Sequence, residues 1–84
     1  MRPSVTFAAS ALKDLEDIHA WYAGQQVPEV GTRLVREIVA QVERLARFPE
    51  SGRVVPEFGL AHLREIIHPP FRIVYRCDAE RVRI

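Results

Sequence analysis

The stretch Leu63-Arg64-Glu65-Ile66-Ile67-His68-Pro69-Pro70-Phe71-Arg72-Ile73-Val74-Tyr75-Arg76-Cys77 decides the fold. Successive side chains on a β-strand point to opposite faces. Over residues 71–77, Phe71, Ile73, Tyr75 and Cys77 fall on one face and Arg72, Val74 and Arg76 on the other. That alternation predicts a strand with one wet side. Pro69-Pro70 forces a break, so Leu63 to His68 reads as a separate strand before it. Asp78-Ala79-Glu80 is a turn. Arg81 to Ile84 then resumes the alternation, with Val82 and Ile84 inward and Arg81 and Arg83 outward. Three consecutive strands joined by tight turns predict an antiparallel sheet with one apolar face.

Upstream of residue 60 the apolar period changes from 2 to 3.6. Val30, Leu34, Ile38, Val42 and Leu45 form one helical stripe. Pro28 suits a first helical turn, where its missing N–H costs nothing. Glu29–Arg33 and Glu43–Arg47 are i,i+4 pairs in the favourable order. Pro49 ends the run, because the residue before a proline avoids the α region. This predicts a helix over about residues 28–47. Leu12, Leu15, Ile18 and Tyr22 form a second stripe, opened by Ser10 as N-cap and closed by Gly24, for a helix over about 10–24. Ser4-Val5-Thr6-Phe7 alternates like a short strand. The segment from Phe48 to Gly59, FPESGRVVPEFG, is punctuated by proline and glycine and reads as a loop.

The predicted order is β-α-α-β-β-β, an α+β domain in which a helical hairpin covers one face of an antiparallel sheet. The expected core is Leu15, Ile18, Leu34, Ile38, Val42, Leu45, Ile73, Tyr75 and Val82. The 84 residues make one domain. With 48% hydrophobic and 27% charged residues, the composition is that of a folded chain. Cys77 is the single cysteine, so no internal disulfide can form and a small extracellular scaffold is disfavoured. MRPSVTFAAS lacks the apolar core of a signal peptide, and no stretch approaches the length of a membrane span. A cytoplasmic protein is expected.

The formal net charge is +1, but it is unevenly spread. Residues 60–84 carry Arg64, Arg72, Arg76, Arg81 and Arg83 against Glu65, Asp78 and Glu80, and Lys13 is the only lysine. Arginine's planar fork of donors suits phosphate or carboxylate partners. The bias is far smaller than that of a dedicated nucleic-acid binder, so no direct sequence-specific nucleic-acid binding is expected. His19 and His62 are read as non-catalytic, whereas His68 shares a strand face with Arg64 and is placed to join a basic cluster. Cys77 reads as a small core residue. No Cys/His set has metal-ligand spacing, and no glycine-rich phosphate loop or Ser-His-Asp arrangement is visible, so neither metal nor cofactor is expected.

The chain resembles the ParE/RelE toxin superfamily over essentially its whole length. The residues that carry the resemblance are the opening VTFAASALKDLEDIHAWYA, the helix end RLARFPESGR, and the strand pair LREIIHPPFRIVYRC. Phe48-Pro49 followed by Gly52-Arg53, and the strand Phe71-Arg72-Ile73-Val74-Tyr75-Arg76, look most like the common core. The resemblance implies a toxin neutralised by a cognate antitoxin, here a ParD-like one. Two activities occur among such toxins: ribosome-dependent cutting of messenger RNA in RelE-like members, and inhibition of DNA gyrase in ParE-like members. Fold alone does not choose between them.

Attack by a 2′-hydroxyl needs a base, a leaving-group acid and positive charge for the phosphate. The resemblance matches Arg72 to an arginine of the nuclease members. Leu63 and Glu65 stand where those members carry lysines, and the groups of their last strand cannot be matched within the residues at hand. The favoured reading is therefore a gyrase inhibitor rather than an enzyme. The nuclease is the first alternative, and a non-toxic protein-interaction module the second. Arg64, His68, Arg72 and Arg76 are the expected target-binding residues. Trp21, Tyr22, Phe48 and Phe58 exceed what so small a core readily covers, and with Arg83 they are the expected antitoxin-binding residues. Arg81-Val82-Arg83-Ile84 carries no stop signal. It is expected either to continue in a longer natural chain or to leave an edge near which an antitoxin segment lies.

Overall fold

A computed structural model describes residues 3–84. In chain order the elements are β1 (Ser4–Thr6), α1 (Ala9–Gly24), α2 (Pro28–Arg44), β2 (Arg53–Val54), β3 (Leu63–His68), β4 (Phe71–Cys77) and β5 (Arg81–Arg83). The strands form one sheet in the order β1-β5-β4-β3-β2. The α+β arrangement with a helical hairpin against one sheet face is therefore the observed fold. Two details differ from the sequence reading. Arg53–Val54 pairs antiparallel with β3, so the segment read as a loop contains a short strand. And β1 pairs with β5 in parallel, because the helical hairpin and the later reversals bring the chain back in the same sense; the sheet is mixed.

That pairing also changes the edges. β5 was expected to expose an open edge, but it lies between β4 and β1 and is bonded to both. The Ala8 N–H binds the Ile84 carbonyl at 2.8 Å. The same bond corrects the start of α1. Ala8, in extended conformation, is the N-cap and has no side-chain cap, so Ser10 lies inside the helix. The sheet, not a serine hydroxyl, fixes where the helix begins. At the other end Gly24 is still helical, and the left-handed residue is Gln26 at φ 64°. α2 begins at Pro28 as expected. It closes at Arg44, after which Leu45, Ala46 and Arg47 each donate to the carbonyl three residues back, a tighter turn.

α2 supplies the helical side of the core. Leu34, Ile38 and Val42 are buried on it, followed by Leu45, and they meet Ile73, Tyr75, Cys77 and Val82 of the sheet. α1 buries nothing completely, and Leu15 and Ile18, expected in the core, are only half-buried. Gly31 explains the arrangement in part. A Cβ there would come within 3.1 Å of the Tyr22 Cβ, so α1 leans closely on α2. Its own stripe is left looking into a groove rather than onto a closed sheet.

Tyr75 ties the loop after α2 to the sheet. Its buried hydroxyl donates to the Pro49 carbonyl at 2.8 Å and accepts from the Gly52 N–H at 3.0 Å. The approach is so close that a Cβ on Gly52 would stand 2.6 Å from the Glu65 carbonyl oxygen and 2.7 Å from the Tyr75 hydroxyl. Only glycine fits. Arg64 reinforces the same loop from the sheet by donating to the Gly52 carbonyl at 3.0 Å.

Tyr75→Phe strips a buried donor and acceptor of their partner and should cost about 1–3 kcal/mol in urea denaturation. Gly52→Ala should cost more, since the clash is with backbone. Burial, outweighing the opposing Gly52 hydrogen bond, raises the Tyr75 phenol above its ordinary pKa of 10.0. A group whose folded pKa is raised contributes stability below its unfolded value and loses it as pH rises through the folded one. The stability gap between wild type and Tyr75→Phe should thus be constant at neutral pH and shrink only above about pH 10.

Candidate functional site

Strand register sorts the candidate residues. Directly opposed residues on antiparallel strands share a face. Arg64 stands opposite Tyr75 and His68 opposite Phe71, so both lie on the helix side of the sheet. Arg72 stands opposite Ile67, and Arg76 opposite Leu63, so both lie on the other, open face. The four expected target-binding residues are split between two faces, because β3 and β4 pair with Ile66 against Ile73 and so set the two strands' arginines out of phase.

On the helix side both candidates are engaged. His68 Nε2 lies 3.0 Å from the Glu37 carboxylate of α2, a bond that ties the helix to the sheet. Arg64 donates to the carbonyls of Ala61, Glu50 and Gly52 and holds the loop.

The open face carries a charge cluster. Glu65 is 1% exposed although it points away from the helices. Arg53, opposite it on β2, donates to its carboxylate at 2.6 Å. Arg72 donates to its other oxygen at 3.1 Å and to Glu57 at 2.8 Å. Glu57 belongs to the loop after β2, whose turn is closed by the Phe58 and Gly59 N–H groups on the Val55 carbonyl. That loop lies over this half of the face, and Val55 beneath it is fully buried. Glu57, and to a smaller extent Glu65, raise the Arg72 pKa further above its ordinary value. Arg72 is thus a clamped cation between two carboxylates. Residue order does not mark Arg53 and Glu57 as partners of this cluster, because the pairing of β2 with β3 that brings them there is not local. The available signal was Glu65 itself, a lone acid mid-strand between Leu63 and Ile67 on one face.

Arg76 and Arg83 differ from Arg72. They oppose each other across β4 and β5, are exposed, and have no acidic partner among the described residues.

The aromatic candidates do not form one surface. Trp21, 60% exposed, packs edge-on against Tyr22 with ring centroids 4.8 Å apart. The pair lines a hollow of about 420 Å³ with Ile18, Pro70 and Phe71. This hollow runs into a groove of about 460 Å³ between α1 and the start of β4, floored by Phe7, Leu15, Ile38 and Ile73 and walled by Asp14 and Asp17. The groove is open because β5 pairs only with Arg76 and Cys77, leaving β4 before Arg76 without a strand on that side. Phe48 lines a separate hollow with Pro49, Glu50 and Ser51, and Phe58 sits exposed in the loop after β2. Trp21 and Tyr22 therefore belong to one continuous apolar trough, whereas Phe48 and Phe58 stand apart from it.

Among the described residues no group of histidine, cysteine or acidic side chains has the geometry of a metal site, and no helix is long and apolar enough to cross a membrane. A family model described as the ParE toxin of the type II toxin–antitoxin system parDE matches residues 5–84. No curated protein matches the chain at a significant level.

The clamp has a measurable asymmetry. Arg53→Met leaves a wholly buried carboxylate with one partner fewer and should cost about 1–3 kcal/mol in chemical denaturation. Glu57→Gln removes only an exposed bridge and should move the denaturation midpoint little.

Proposed function

The chain belongs to the ParE family of toxins of type II toxin–antitoxin systems, and from that premise we propose that it inhibits DNA gyrase by binding it, in the cytoplasm, and that a ParD-like antitoxin neutralises it. The observation that carries the first part is the clamp on Arg72. A phosphate-gripping arginine must offer an unbalanced positive charge, yet Arg72 Nη1 already donates to two carboxylates, Glu57 at 2.8 Å and Glu65 at 3.1 Å, which offset that charge. The neighbouring buried Glu65 would repel a phosphate rather than stabilise it. The described residues around Arg72 thus favour recognition over RNA cleavage.

The second part rests on the apolar trough along α1. Leu15, Ile18, Trp21 and Tyr22 form a helical stripe of which no member is fully buried. An amphipathic helix in a small domain ordinarily buries that stripe, and a partner segment that folds on binding would cover it. Trp21 and Tyr22 are the anchors of this interface, since aromatic side chains dominate such contacts. Of the residues proposed to touch the target, Arg64, His68 and Arg72 each make internal side-chain bonds, and Arg76 makes none among the described residues.

A supercoiling assay tests the proposal. Purified protein should prevent gyrase from supercoiling relaxed plasmid, and the antitoxin encoded beside it should restore activity. Undiminished supercoiling in molar excess of the protein would contradict the target assignment. In cells, expression without the antitoxin should arrest growth. A chain that is harmless in both assays and still binds its neighbour would be an interaction module instead.

A further inference from the structure

The open face of the sheet is electrically divided. On the half formed by β2, β3 and the start of β4, the arginines are matched. Arg53 and Arg72 share the buried Glu65, and Arg72 also has Glu57. On the half formed by the end of β4, β5 and β1 they are unmatched. Arg76 and Arg83 are directly opposed, where like charges destabilise a strand pair. Asp78, the acid that directly follows β4, is occupied. Its carboxylate accepts from the Glu80 and Arg81 N–H groups at 2.8 Å each and closes the turn. These bonds hold the Asp78 pKa below its ordinary value.

Two of the unmatched arginines, Arg76 and Arg83, border a hollow of about 360 Å³, with Leu63 and Val74 as apolar lining and Ala8 and Ser10 at the start of α1 on its far side. The first turn of α1 holds no acidic residue and no side-chain cap, so its N–H groups add to the positive field. A repulsive arginine pair beside an apolar hollow is a defect in the free domain and an asset to one kind of ligand. That ligand is a carboxylate next to an apolar side chain. Two guanidinium forks roughly 5 Å apart at their Cβ atoms can both donate to a single carboxylate.

We propose that Arg76 and Arg83 together grip an aspartate or glutamate of the antitoxin, whose neighbouring apolar side chain seats against Leu63 and Val74. A protein carboxylate is favoured over nucleic-acid phosphate because, among the described residues, the one aromatic lining this hollow is the buried Tyr75, which offers no face on which a base could stack, and because the whole chain carries only +1. The inference rests on the toxin–antitoxin reading and extends it. An antitoxin held here occupies Arg76, the candidate target-binding arginine with no internal side-chain bond among the described residues, so that neutralisation is occlusion of the target surface.

The test compares wild type, Arg76→Gln, Arg83→Gln and the double variant for binding to the full-length antitoxin encoded beside the toxin, at low and high salt. Arg33→Gln, an exposed arginine of α2, is the control. Each single substitution should weaken the complex roughly tenfold, and the double variant should lose much of the salt dependence of binding, as expected for removal of a charge-assisted contact. Arg33→Gln should match wild type. The free double variant should unfold at the same or a higher temperature than wild type, because a repulsion has been removed; an arginine with a merely structural role would lower it. Wild-type affinity and salt dependence in the double variant would overturn the inference while leaving the toxin–antitoxin reading intact. No binding by wild type would overturn that reading and the inference with it. Binding of a single- or double-stranded oligonucleotide that is lost in the double variant, with the antitoxin complex unaffected, would overturn it in favour of phosphate recognition.

Discussion

A carboxylate with almost no access to water stands on the face of the sheet that the helices do not cover, and much of the molecule is arranged around it. Burying an ionised group costs several kcal/mol unless partners replace the lost water. Glu65 has two such partners, Arg53 on the adjoining strand and Arg72 on the next. Both demand structure. Arg53 can reach only because residues 53–54 pair with β3, and Arg72 is held in turn by Glu57 from the loop that closes over the site. The loop between α2 and β3 is thereby fastened from two sides. Tyr75 and Arg64 hold its first part on the helix face of the sheet, and the Glu65 cluster holds its second part on the open face. Gly52 sits where the two meet, against the Glu65 backbone and the Tyr75 ring, with no room for a side chain.

The same constraint divides the surface by function. Arginines drawn into the Glu65 cluster are paired with carboxylates and hold the fold together. Arg76 and Arg83, beyond its reach, have no acidic partner among the described residues. On the other side of the sheet α1 leans on α2 through Gly31 and leaves its apolar stripe facing an open trough. The domain thus presents one apolar recess under α1 and one positive patch on the far face. A partner that wraps around the edge of the sheet would engage both.

Much of this was legible in residue order. The alternation in 71–77, the proline break before it and the two helical stripes were enough for the element order, and Ile38, Val42, Ile73, Tyr75 and Val82 fell in the core as their spacing required. What periodicity cannot convey is pairing. Nothing local in Arg53-Val54 distinguishes a two-residue strand from loop, so Arg53 went unseen as the partner of Glu65. Faces of single strands were read correctly, but the register between β3 and β4 sets which faces coincide. That register separates Arg64 and His68 from Arg72 and Arg76. The burial of Leu15 and Ile18 was overestimated for a related reason. A stripe shows which side of a helix is apolar, and only the tertiary arrangement shows whether anything covers it.

On the proposed reading, the carboxylates beside Arg72 commit it to the fold rather than to RNA cleavage. Ribosomes programmed with a defined messenger and incubated with the purified protein test this most directly, by mapping the 5′ ends of the message. The messenger should remain intact at every codon, with wild type and Arg72→Gln giving identical patterns. Codon-specific cuts with wild type that vanish in Arg72→Gln would contradict that reading, since they would show Arg72 serving a phosphate despite the two carboxylates beside it.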